Sequence, residues 1–193
     1  MKKGRIEAFS DGVLAIIVTI MVLELKVPEG AEWNDLFALL PKFLSYILSF
    51  TMVLIYWNNH HHIFQTVEKV DGKILLANGF LLFFISLVPF ATAWMGEHNF
   101  ESKPVILMGI VLFLSGIAYL YLSKVIANSH GENSVLAKVM DKDWKGTISW
   151  IGYLTGIGVG FFYPKISAII YFLIALMWLI PDKRIERLMK EEI

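Results

Sequence analysis

Apolar residues in this chain come in long blocks separated by short polar breaks. Six blocks approach the roughly 20 residues that take an α-helix across a hydrocarbon layer about 30 Å thick. They run approximately over 6–27, 36–64, 74–95, 105–126, 147–163 and 166–180. The breaks have turn chemistry: Pro28-Glu29-Gly30 after the first block, Asp71-Gly72-Lys73 before the third and Ser102-Lys103-Pro104 before the fourth. Only Pro164 and Lys165 separate the last two blocks, which predicts a tight helical hairpin. The one long connection, Ser123 to Gly146, contains Val135, Leu136, Val139 and Met140 interleaved with Lys138, Asp141 and Lys142, the pattern of a short amphipathic helix at a membrane surface. The pattern therefore predicts an all-α membrane protein, a single domain of six transmembrane helices over 1–193.

Composition supports this reading. Of 193 residues, 56% are hydrophobic and 18% charged, against about 45–50% and 25% in a soluble domain. One core of this size cannot hide so much apolar surface, so part of it must face lipid. The 17 basic and 17 acidic side chains cancel, which argues against a nucleic-acid partner held by bulk positive charge. With no cysteine, disulfides, thiolate metal sites and cysteine nucleophiles are excluded.

Six crossings put both termini on one side, and the basic residues sort accordingly. The terminal side receives 13 Lys and Arg and the opposite side four (Lys26, Lys42, Lys103, Lys165), so both termini are predicted to be cytoplasmic. The acids divide 11 to 6, and the zero net charge becomes +2 inside and −2 outside. The first block has no small-residue cleavage site and contains acidic residues, so it is expected to be a retained helix and not a signal peptide.

That first helix is unusual. Glu7, Ser10 and Asp11 lie at its base and Glu24 at its top, poor company for a lipid-facing span, so it is expected to be interior, against protein or water. At 100° per residue, Phe9, Gly12, Ile16, Thr19, Ile20 and Leu23 form one stripe, while Ser10 and Asp11 point elsewhere. If several copies of the helix surrounded an axis, Ile16 and Leu23 would form two apolar rings about 10 Å apart with a Thr19 hydroxyl ring between them. The same spacing also suits a packing face, and Asp11 could pair with Arg5 at the helix start. Periodicity does not separate these readings.

The residues at the base of this helix point to a family. Arg5-Ile6-Glu7-Ala8-Phe9-Ser10-Asp11 matches an Arg-x-x-x-Phe-Ser-Asp motif and resembles the start of the first helix in the transmembrane-protein-175 type potassium channels of lysosomes and prokaryotes. Trp57-Asn58-Asn59-His60-His61 is similar to that family's Trp-x-x-His-His element, and Asn78 with Ser86-Leu87-Val88-Pro89-Phe90 to its Asn-containing segment ending in Leu-x-Pro-Phe. The matches lie in the first half of the chain.

The resemblance implies a cation leak channel without the usual carbonyl potassium filter, assembled as a homotetramer whose first helices line the pore. It places the hydrophobic constriction on Ile16, followed by Thr19 and Leu23, with Gly12 and Ile20 on the same face. Arg5, Phe9, Ser10 and Asp11 would anchor the helix in a polar network with Trp57, His60, His61 and Asn78. Selection would work by dehydration: potassium, the more weakly hydrated ion, loses less when an apolar constriction strips part of its water shell, and modest selectivity follows. Glu24 and the acidic loop residues Glu29, Glu32 and Asp35 could concentrate cations at the entrance, within the reach that screening of about 8 Å permits. Membrane lipid and potassium ions are the implied partners, a cell membrane, most simply a prokaryotic plasma membrane, is the implied location, and no cofactor is implied.

Three further signals have plainer readings. Consecutive His60, His61 and His62 point 100° apart on a helix and cannot chelate one metal together. Gly152, Gly156 and Gly160 recur every fourth residue, as in a seam that lets membrane helices pack closely; Thr155 to Gly160 fits neither a carbonyl filter nor a phosphate loop. The charged segment from Asp182 reads as a solvated helix end able to touch anionic lipid. No catalytic grouping is apparent, so an enzyme is not expected. Two other classes stay open on sequence alone: a proton-coupled secondary transporter using an Asp11–His60/His61 relay, and a subunit without permeation of its own.

Overall fold

The computed structural model describes residues 2–130, 136 and 143–179. The amphipathic helix expected near 135–142 and the charged tail from 182 onward lie outside the described residues, apart from Leu136. Within them the chain is α-helical: α1 (Lys3–Leu23), α2 (Trp33–Phe37), α3 (Leu40–Gln65), α4 (Gly72–Ile85), α5 (Val88–Glu97), α6 (Ser102–His130), α7 (Trp144–Gly160) and α8 (Pro164–Leu179).

Two of the six expected blocks are broken by proline. Pro41 takes the second position of α3, so the block expected over 36–64 becomes the short α2 followed by α3. Pro89 likewise takes the second position of α5 and interrupts the third block at Ser86 and Leu87. In each case the ring supplies no N–H for the preceding turn and disfavours helical backbone just before it. α1 starts earlier and stops earlier than expected. It ends at Leu23, where the Glu24 and Leu25 N–H groups turn back onto Ile20 and Val22 carbonyls ahead of Pro28.

Four helical stretches among the described residues are long and apolar enough to cross a membrane: Lys3–Leu23, Leu40–Gln65, Gly72–Glu97 (kinked at Pro89) and Ser102–His130. α7 and α8 are shorter, with 17 and 16 residues.

α6 packs against α4, α5, α7 and α8, while α1 packs on α3, α4 and α5. The glycine seam lies where the sequence put it. Tyr171 of α8 wedges between Gly156 of α7 and Gly109 of α6, and a methyl group on either glycine would overlap its ring or hydroxyl. Gly152 meets Ile174 and Gly160 meets Ile106 with similar closeness. In lipid the stabilisation here comes from dispersion between closely approached helices, since tails outside are as apolar as the contacts inside.

Within the single chain α1 is covered along one face. Its best membrane-length window is 28% buried, against 39–50% for the other three spans. Ile6, Ser10, Leu14, Ile17 and Met21 form its packed face, flanked by half-buried Val13 and Val18, and the opposite side is open.

A polar anchor beneath an exposed helical stripe

Every residue of the stripe read from the wheel lies on the open side of α1. Phe9 is 63% exposed, Ile16 61%, Ile20 43% and Leu23 71%; Gly12 and Thr19 are exposed too. Thr19 Oγ1 donates to the Ala15 carbonyl at 2.8 Å. Its one hydrogen is thus taken up by its own helix, so the oxygen of this exposed residue has only acceptor capacity left.

The opposite face is fastened by polar contacts. Ser10, completely buried, donates to the Ile6 carbonyl at 2.8 Å and accepts from Asn78 Nδ2 of α4 at 3.0 Å. Asn78 Oδ1 lies 2.8 Å from His60 Nε2 of α3. Because Asn78 Nδ2 is already donating to Ser10, its Oδ1 accepts from His60, which fixes a proton on Nε2. One amide therefore ties three helices together, and His60 is held further by stacking on Phe64 at 4.3 Å between ring centroids. Next along α1, Asp11 Oδ1 accepts from the Trp57 indole Nε1–H of α3 at 2.9 Å.

Not every expected member joins. His61 faces outward and meets Gln65 at 3.0 Å. Among the described residues Arg5 forms neither the ion pair with Asp11 nor a bond to the Ser10–Asn78–His60 chain; the one described ion pair is Lys42–Glu97 at 3.4 Å. The three histidines diverge as their spacing requires: His60 is buried while His61 and His62 meet edge to face. Among the described residues no direct hydrogen bond joins Asp11 to His60 or His61.

At the other end of α1, Glu24 shares a surface recess with Lys42 and Glu97. Asp35 is occupied structurally, since its Oδ2 accepts from the Glu32 N–H in the box that caps α2. A second buried polar node was absent from the sequence reading. Thr92 Oγ1 of α5 lies 2.5 Å from Ser49 Oγ of α3, 2.7 Å from the Val88 carbonyl oxygen and 3.9 Å from the Met21 sulfur of α1. Two isolated hydroxyls inside apolar spans were the available signal.

The fold and this site define a helical membrane protein with one loosely surrounded helix clamped to its neighbours along a single edge. The profile of a family described as the endosomal/lysosomal potassium channel TMEM175 matches residues 5–89, the segment that contains α1, the Trp57–His61 element and Asn78. A potassium channel from Chryseobacterium sp. (strain P1-3) is 59% identical over 191 residues, spanning 99% of this chain and 100% of its own. The human endosomal/lysosomal proton channel TMEM175 is 32% identical over 133 residues, covering 61% of this chain and 26% of the human protein. Among solved structures, a lysosomal potassium-selective channel TMEM175 homolog from Chamaesiphon minutus superposes with a TM-score of 0.81 at 30% identity, covering 92% of this chain and 96% of that one. The chain belongs to the TMEM175 family.

Proposed function

We propose that this chain is a potassium-permeable leak channel of a prokaryotic plasma membrane, formed by four copies around an axis lined by α1. One observation supports it above all: α1 is fastened on one side by Ser10, Asp11 and buried apolar residues, yet shows a continuous apolar stripe with a single outward oxygen on the other. Lipid covers apolar faces of this kind on the other helices. A pore wall is favoured for this one because α1 is the least buried of the four spans and its fastened base lies in the segment matched by the family profile, and a ring of chains brings such stripes together. The short α7 and α8, about 25 Å each at 1.5 Å per residue, complete six crossings within the single domain, with both termini cytoplasmic.

In this reading Ile16 and Leu23 form apolar constrictions and Thr19 a ring of acceptor oxygens between them. Gly12 and Ile20 complete the wall. A hydrophobic constriction opposes hydrated ions by the cost of removing water. That cost is smaller for potassium than for sodium, so flux favours potassium without carbonyl ligands, and the preference is modest. Arg5, Phe9, Ser10, Asp11, Trp57, His60, His61 and Asn78 hold or flank the base of the helix and set its rotation. A channel is favoured over an Asp/His-coupled transporter because the relatives named above are channels, and among the described residues Asp11 bonds directly to Trp57 and His60 to Asn78.

The test is potassium and sodium flux through purified protein in liposomes, alongside its assembly size in detergent. Potassium is expected to move faster than sodium, and Ile16→Ala or Leu23→Ala to raise flux or narrow the ratio. Flux no faster than through empty liposomes for either ion, or transport abolished by Asp11→Asn yet indifferent to Leu23→Ala, would overturn the proposal.

A further inference from the structure

α3 has two working edges. One bears Trp57 and His60 against α1 and α4; the other bears Tyr56 and Asn59, and it lines a partly open cavity of about 120 Å³ walled by α3, α6, α7 and α8 together with Leu136 and Asp143. This space is remote from the α1 stripe and nothing in channel function accounts for it. Its walls are mostly aromatic and aliphatic, with Phe113, Trp150, Tyr153 and Trp178 among them. An apolar cavity of about 150 Å³ is large enough to take up a benzene ring.

Polar groups converge on this space with capacity to spare. The Asn59 side-chain amide has no hydrogen-bond partner among the described residues, although the Asn59 backbone carbonyl accepts from Tyr119 at 3.4 Å. The Tyr153 hydroxyl has the Met52 sulfur 3.9 Å away, and the Tyr56 hydroxyl reaches the Leu112 carbonyl at 3.4 Å. The Tyr56–Leu112 distance exceeds the roughly 2.7–2.8 Å of a good bond between a hydroxyl and an oxygen, though Ser115 also stands beside the Tyr56 hydroxyl, and a thioether sulfur is a weak acceptor for Tyr153. The half-buried Asn59 amide thus offers an unused donor and acceptor at the wall of a mostly apolar pocket. The charges at the rim are not a draw for ions, since Asp143 caps Gly146 at 3.0 Å and the Lys145 ammonium lies over the Trp178 ring at 5.6 Å and donates to the Met177 carbonyl.

We infer that this cavity is a binding site for a small uncharged aromatic alcohol, its ring against the aromatic wall and its hydroxyl on the Asn59 amide. An apolar pocket with few convergent polar groups is the usual form of a small-molecule site. Gly116 offers a direct control: a methyl built there meets nothing nearer than the Tyr56 hydroxyl at 3.9 Å, so a larger side chain enters the cavity without displacing backbone.

The experiment is fluorine NMR line broadening of 4-fluorophenol and of fluorobenzene by the full-length protein in lipid nanodiscs, a readout independent of ion flux. Wild-type protein is expected to broaden 4-fluorophenol beyond protein-free nanodiscs, with fluorobenzene bound about five- to tenfold more weakly, the loss of one hydrogen bond. Gly116→Leu should abolish the protein-dependent broadening, and Gly116→Ala should reduce it if the leucine variant does not fold. Asn59→Leu should bring the two probes to equal affinity. Broadening no greater than in protein-free nanodiscs, or unchanged in a folded Gly116 variant, would overturn the site; a phenol preference that survives Asn59→Leu would overturn the assigned hydrogen bond.

Discussion

Trp57 on α3 donates its indole N–H to the Asp11 carboxylate on α1 across 2.9 Å, between residues 46 apart in the chain. Asp11 directly precedes Gly12 of the exposed stripe, so this bond helps set which way the stripe faces. A rotation of α1 by one residue, 100°, would break the bond and turn Ile16 away from its present direction.

Loss of either partner should therefore loosen α1. Trp57→Phe is expected to cost about 1 kcal/mol, a typical net hydrogen bond at a partly exposed site, and Asp11→Asn less, because the amide oxygen still accepts. A double-mutant cycle of Asp11→Ala and Trp57→Phe by thermal unfolding should show coupling of about 1 kcal/mol. Strictly additive effects would mean that the bond does not contribute.

Asn78 has a larger role because it is buried and serves two partners. Asn78→Leu leaves Ser10 Oγ with one partner fewer and His60 Nε2 with none at that position. The expected cost is about 2–4 kcal/mol, or a fall in melting temperature of about 4–16 °C for a chain of this size. A fall smaller than that of Trp57→Phe would show the amide to be dispensable.

The two faces of α1 should respond oppositely to truncation. Leu14 is 3% exposed, and Leu14→Ala is expected to destabilise by about 2–5 kcal/mol. Ile16→Ala, on the open face, should leave the thermal stability of the isolated chain within about 0.5 kcal/mol while altering ion flux. Equal destabilisation by both would mean that Ile16 packs in the chain and has no place in a pore wall.

Two neighbouring glycines of α7 provide a further contrast. Gly156→Ala overlaps the Tyr171 ring, whereas Gly158→Ala meets nothing within 4 Å. The first should cost about 1–3 kcal/mol through overpacking, and the second should stabilise the helix by about 0.5–1 kcal/mol through lower chain entropy. Reversal of that order in thermal unfolding would contradict the seam packing.

Much of the architecture was legible because a membrane span announces itself through length and apolar run. The tight turn before Pro164 and the glycine seam followed from local chemistry alone. The proline breaks were legible in principle, since Pro41 and Pro89 stand in plain view, but hydropathy averages over them while the backbone does not. The site was legible as a set of residues, through the Arg-x-x-x-Phe-Ser-Asp and Trp-x-x-His-His motifs. Its pairings were not. Arg5, six residues before Asp11, lies about 240° around the helix and about 9 Å along it, and Asp11 bonds instead to Trp57 of α3, while of three adjacent histidines only His60 faces Asn78. Thr92 and Ser49 were overlooked because a hydroxyl in an apolar helix usually bonds its own backbone, as Thr92 does to Val88; that it also meets Ser49 depends on how α5 leans on α3.

The sequence by itself determined the helical membrane class, the apolar stripe of α1 and the residues available to anchor it, because these depend on composition and on a fixed rise and rotation per residue. Tertiary structure alone decided that the stripe lies on the outside of the chain and that Asn78 joins three helices. It also decided that the far edge of α3 lines a cavity. Each of those depends on which helices are neighbours and how far apart they stand, and no periodicity along one helix contains that distance.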